Sequence, residues 1–146
     1  MEYNSFEDMP VWQKAMDLAV RIHDLTERLP RKEDFGLTSQ IRNSGLSVSG
    51  NIAEGFGRKH TKDKLKFYYN ARGSLAETKN HLIYGHRVAY FTKSEFDEVS
   101  DNIKEIWKEL NSLISSLSRR SWGWLAVEDF LSTLLGRVLF SSEAST

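Results

Sequence analysis

The chain has 146 residues with 20 basic and 20 acidic side chains, so its formal net charge is zero and no global field drives it onto nucleic acid or membrane; only a local patch can do that. Its length suits one domain with a single core. Cysteine is absent, which excludes disulfides and thiolate metal sites and fits a reducing cytoplasm, and two prolines in the whole chain favour long helices over a turn-rich sheet.

The opening run, Met-Glu-Tyr-Asn-Ser-Phe-Glu-Asp, is acidic and lacks the apolar stretch of a signal peptide. A first helix is predicted from about Pro10 to Leu29. Val11, Ala15, Leu18, Ile22, Leu25 and Leu29 recur there at spacings of four and three, with Asp8 as the N-cap and Pro30 as the stop. A second helix covers roughly Phe35 to Phe56, its seam formed by Leu37, Ile41, Val48, Ile52 and Phe56. Gly57-Arg58-Lys59-His60 breaks it, and Thr61 is expected to cap a third helix over about Lys62 to Phe91, striped by Phe67, Ala71, Leu75, Leu82 and Ala89. Ser94 and Asp97 read as a capping box for the fourth, Glu95 to about Leu117, where Phe96, Val99, Ile103, Ile106, Leu110, Leu113 and Leu117 form an unbroken seam. Four amphipathic helices with short connections bury these faces as an all-α, up-down antiparallel four-helix bundle.

After Arg119-Arg120-Ser121 the composition changes. Trp122, Trp124, Val127, Phe130, Leu131, Leu134 and Val138 predict an extra C-terminal amphipathic helix, dividing the chain into a four-helix bundle (1–120) and a hydrophobic tail (121–146). Glu128, Asp129 and Arg137 interrupt the apolar run, so it is no membrane span. A row of this kind needs cover: it folds back on the bundle, caps a ring of subunits, or docks on a partner protein with Val127, Leu131, Leu134 and Val138 as anchors.

The second helix carries Gly45, Gly50, Gly55 and Gly57, although glycine costs up to about 1 kcal/mol in a helix interior. At about 100° per residue, Ser49, Gly50, Ala53 and Gly57 form a small-residue flank, and Gln40, Ser44, Ser47, Asn51, Glu54 and Arg58 form a polar one. Close packing inside the chain's own bundle accounts for such flanks, and so does a subunit interface built from Ser47, Gly50, Asn51, Ala53, Glu54 and Arg58. The second reading predicts a homo-oligomer.

Catalytic patterns are missing. A di-iron bundle needs Glu-x-x-His pairs, and no Glu here has a His three positions later. Gly45-Leu-Ser-Val-Ser-Gly departs from a nucleophile elbow at Ser49 and lies mid-helix, and Gly55-Phe-Gly-Arg-Lys-His is half a dinucleotide fingerprint with no strand before it. His23, His60, His81 and His86 are scattered, and the tyrosines follow the helix period as core and interface residues. The expectation is a non-enzyme without catalytic residue, metal or cofactor. Charge is more informative: Arg58, Lys59, Lys62, Lys64 and Lys66 cluster against Asp63 alone, and an up-down bundle brings Arg119 and Arg120 to the same pole. Such a pole holds phosphates without reading sequence.

Four blocks carry a resemblance: Phe6-Glu-Asp-Met-Pro-Val-Trp-Gln-Lys-Ala, Phe35-Gly-Leu-Thr-Ser-Gln-Ile-Arg, Ser47-Val-Ser-Gly-Asn-Ile-Ala-Glu-Gly-Phe-Gly-Arg and Ala71-Arg-Gly-Ser-Leu-Ala-Glu. Over about residues 6–118 the chain resembles the four-helix bundle proteins encoded in intervening sequences of bacterial 23S ribosomal RNA genes. It is more distantly similar to the accessory protein of diversity-generating retroelements, a basic pentameric barrel that binds nucleic acid. The likeness implies a ring of bundles, commonly a pentamer, with Gln40, Arg42, Ser47, Asn51, Glu54, Gly55, Arg58, Gly73, Ser74 and Glu77 as family positions. Asn43-Ser44-Gly45 departs from the family's basic-plus-alanine run, and Ser49 stands where proline is common. Together these readings anticipate a cytoplasmic, oligomeric scaffold or adaptor that binds RNA or DNA non-specifically at a basic pole. The alternative is a protein–protein adaptor whose tail recruits an effector without nucleic acid.

Overall fold

The computed structural model of the protein describes the backbone of residues 3–141 and the side chains of residues 3–119. Four helices occur in it, α1 (Pro10–Thr26), α2 (Leu37–Gly57), α3 (Thr61–Arg87) and α4 (Lys93–Ser141), with short 3-10 turns at Phe6–Asp8 and Arg31–Glu33 and no strand among the described residues. Each helix packs on its sequence neighbours, and α4 closes the circuit onto α1. Side-chain pairs fix the directions. Gly45 faces Ile22 and Arg42 meets Thr26, Ser47 meets Ser74 and Ser44 meets Thr78, Arg72 meets Asn111 and Lys79 meets Ser100, and Arg21 meets Glu98 and Lys14 meets Glu105. In every neighbouring pair one number rises as the other falls, so the bundle is antiparallel throughout.

The core follows the seams that the apolar spacing predicts, except on α3, where Tyr68 is buried in place of the expected Phe67, whose ring lies under Arg58. Leu18, Ile22, Ile41, Ile52, Leu75, Leu82, Ile106 and Leu110 are fully enclosed, each contributing about 1.5–3 kcal/mol of burial. Met9 and Phe91 close the two ends.

The ends of the helices differ from expectation in instructive ways. Asp8 caps no helix; it completes a capping box with Ser5 around the first 3-10 turn, and Met9 precedes α1. Thr61 is the first residue of α3 rather than its cap. At the far end α3 stops at Arg87. Ala89 takes a left-handed φ of 62°, and the amides of Ala89 and Tyr90 donate back to the carbonyls of His86 and Gly85, the paired bonds of a Schellman stop. Ala89 therefore leaves the helical stripe. The box that starts α4 is Thr92 with Glu95, not Ser94 with Asp97: the Glu95 amide donates to Thr92 Oγ1 (3.2 Å) and the Thr92 amide to Glu95 Oε2 (2.8 Å).

The larger correction concerns the tail. α4 continues to Ser141 without interruption, so the stretch expected to form a separate fifth helix is a continuation of the fourth. The change of composition at Arg119–Ser121 holds no proline, and hydropathy alone does not end a helix. The side chains expected to dock a partner, Trp122, Trp124, Val127, Phe130, Leu131, Leu134 and Val138, lie outside the described side chains.

Candidate nucleic-acid interface

α2 and α3 are joined by a three-residue turn, Arg58–His60, so the cations around it share one end of the bundle. They do not share one state. Arg58 pairs with Glu54 one turn back and lies over the Phe67 ring, 4.6 Å from its centroid. Lys64 turns inward: its ammonium donates to the Phe56 carbonyl at 2.7 Å, satisfying an end carbonyl of α2, and burial pushes its pKa down. These two are committed to the fold. Lys59, Lys62, Lys66 and Arg119 are exposed and without an ion-pair partner among the described residues. Arg120 lies outside the described side chains.

The surface beside this turn is also positive, for a reason spread along α4. Its glutamates Glu95, Glu98, Glu105 and Glu109 fall on the α1 side and are met there by Arg28, Arg21 and Lys14. Arg21 reaches Glu98 with Nε and Nη2 at 2.8 and 2.7 Å, holding that carboxyl below its ordinary pKa. What remains toward α3 is basic: Lys104 on α4, with Lys62, Lys66, Arg72 and Lys79 on α3, while Lys108 lines the α1 side beside Lys14 and Glu105. The acids there are Asp63, Glu77, beside His81, Asp97, paired with Lys93, and Asp101, paired with Lys104. Trp107 and Tyr69 stand exposed in this strip, 41% and 43% accessible, with the Arg72 guanidinium 5.7 and 5.0 Å from their ring centres.

The sequence reading does not single out Trp107, Arg72, Lys79 or Lys104. A signal is there all the same: Trp107 falls beside the α4 seam rather than in it, next to Ile106, with lysines at 104 and 108.

The flanks of α2 divide more sharply than the sequence reading divides them. Ser44 and Ser47 are spent on α3, hydrogen-bonded at 3.0 Å to Thr78 and Ser74, and Asn51 donates back to the Ser47 carbonyl at 2.8 Å. Gly45 and Gly55 are close-approach positions; a Cβ there would sit 2.9 Å from Ile22 Cδ1 and 2.7 Å from Tyr68 Cε1. Gly50 and Gly57 face open space, a Cβ meeting nothing within 4 Å. With half-buried Ala53 and Leu46, which is 57% exposed, they form an outward face that holds no charge. Glu54 lies beside it, occupied by Arg58.

Residues 7–112 match the family described as 23S rRNA-intervening sequence protein. The chain belongs to that family. A crystal structure of a protein of unknown function from the S23 ribosomal protein family of Bacteroides thetaiotaomicron is similar to this chain, with a TM-score of 0.65 and 27% identity. The similarity covers 71% of this chain and 97% of that one. None of the curated proteins matches. The family match ends at residue 112, so the rest of α4 lies outside the matched range, although Leu113, Ile114 and Leu117 still pack in the bundle. Among the described residues no group of His, Asp or Glu is arranged to hold a metal ion, and no helix is long and apolar enough to cross a membrane.

Proposed function

We propose that this intervening-sequence family member is a non-enzymatic, oligomeric scaffold of the cytoplasm that binds nucleic acid through its positive surface. The observation that supports the reading is the set of exposed cations that have no ion-pair partner among the described residues near the α2–α3 turn: Lys59, Lys62, Lys66 and Arg119. Phosphates supply the missing counter-charge without fixing a sequence. Assembly through the outward face of α2 at Gly50, Ala53 and Gly57 repeats the patch around a ring, with five copies favoured by the family resemblance. The apolar row on the α4 extension suits a second role as a protein-docking segment, carried by the sequence alone.

The test is binding of labelled single-stranded RNA and DNA at two salt concentrations, by the wild type and by Lys59→Glu/Lys62→Glu/Lys66→Glu. Arg58 and Lys64 are left intact, because their removal disturbs the fold as well as the charge. The triple variant is expected to lose at least about tenfold in affinity and to show a shallower salt dependence, about 0.7 log units less for every phosphate it no longer neutralises. Undiminished binding takes the turn out of the account.

A further inference from the structure

Between α3 and α4 runs an open groove of about 340 Å³, within the ordinary range of small-ligand sites. Its floor is Leu75, Ala76 and Ile103, its wall is Trp107, and Lys79 and Lys104 stand at its edge. Lys79 is the unusual member. Its ammonium donates to Ser100 Oγ at 2.5 Å and lies 4.6 Å from the Phe96 ring centre, yet among the described residues no carboxylate comes within 4 Å of it. An ammonium has three donors, and one is used. Burial lowers its pKa, and the neighbouring Lys104 adds to that.

An apolar slot with an aromatic wall and a spare cation at its edge fits a flat, largely apolar body joined to an anion. The positive strip extends the argument beyond a small molecule. From Lys79 it continues along α3 through Arg72 toward Lys62, about 25 Å at 1.5 Å per residue, longer than one head group requires. A chain of phosphates uses the whole of it.

We propose that the α3–α4 groove receives an unpaired base of a single-stranded nucleic acid, stacked on Trp107 above Ala76, with the flanking phosphates on Lys79, Lys104 and the strip toward Lys62. This rests on the nucleic-acid reading above and adds strand state: bases in a duplex are stacked on each other and cannot enter. Arg72, held by Asn111 at 3.0 Å, keeps the indole oriented and the slot positive.

The test compares three labelled probes on the intact protein by fluorescence anisotropy: a single strand of about 20 thymidines, an abasic strand with the same number of phosphates, and the matching duplex. The thymidine strand is expected to bind about tenfold tighter than the abasic strand. Trp107→Ala removes that advantage and leaves abasic binding in place. Ala76→Phe, at an exposed position, fills the slot with the same result and guards against a folding defect in the tryptophan variant. Thymidine monophosphate in millimolar excess leaves the strand bound; full displacement assigns the groove to a free nucleotide and overturns the strand reading. Equal binding of all three probes, unmoved by either variant, sinks the groove while the nucleic-acid reading stands. Absence of binding to any probe removes both.

Discussion

Glu95 holds the start of α4 and ties it to α1 at once. Besides its part in the capping box, it takes Arg28 Nη1 and Nη2 at 2.6 Å each, and that charge-assisted pair, with Thr92, lowers its pKa from an ordinary 4.5 to about 2. The folded protein thus surrenders this proton more readily than the unfolded chain. The stabilisation is complete above the unfolded value and drains as pH falls from 4.5 toward 2. Arg28 is half exposed, so the full shift overstates the effect, and Glu95→Gln is expected to cost about 1–2 kcal/mol at neutral pH. Urea denaturation at neutral pH and in strong acid should show the two proteins converging as the acid limit is approached; a gap that stays constant removes the ion pair from the explanation. Read from sequence, this box falls two residues too late. Thr92-Lys-Ser-Glu and Ser94-Glu-Phe-Asp are both acceptable locally, and what selects the first is Arg28, which stands 67 residues away in the chain. A tertiary partner of that kind leaves no local trace.

Along each helix, the apolar seams were legible because the bundle buries one stripe per helix and the 3.6-residue period records it. The buried Val11, Ala15, Leu18, Ile22 and Leu25 of α1 are the residues whose spacing predicts the helix. Two features were not legible. The continuity of α4 was masked by a change in hydropathy, which governs what covers a helix and not whether its backbone persists. The roles of the α2 glycines were merged, because spacing cannot tell an inner flank from an outer one. The structure separates them, and the separation is testable. Gly55→Leu drives a side chain into Tyr68 and is expected to lose about 1–3 kcal/mol or more of subunit stability. Gly50→Leu enters open space, so the subunit should melt unchanged or slightly higher, given glycine's helix penalty of about 1 kcal/mol. If the outward face of α2 joins subunits, the same substitution lowers the solution mass while the helix content holds. Circular dichroism melts with light scattering read both quantities. A Gly50→Leu protein that keeps its full oligomeric mass moves the interface elsewhere.

For the whole molecule, neutrality hides an uneven distribution. Among the described residues, Glu95, Glu98, Glu105 and Glu109 of α4 are met by α1 within the subunit, while Lys59, Lys62, Lys66 and Lys79, on α3 and at the α2–α3 turn, have no ion-pair partner. Formal charge read from composition cannot reveal that sorting; the helical phase of each residue can. A surface of this kind gains most from repetition, because tethered copies convert later phosphate encounters into intramolecular events. Two independent changes separate assembly from charge. Removing residues 121–146 takes away the α4 extension but leaves the outward face of α2 and the basic strip, so the shortened chain is expected to keep its oligomeric mass by light scattering and its steep salt dependence. Gly50→Leu is expected to do the reverse, keeping every cation while flattening the salt dependence toward that of one subunit, since the slope falls by about 0.7 log units with each phosphate that is no longer engaged. If the shortened chain becomes monomeric and Gly50→Leu does not, the extension assembles the ring and α2 only borders it. A steep slope retained by a proven monomer means that one basic strip suffices, and the ring then adds nothing to nucleic-acid binding.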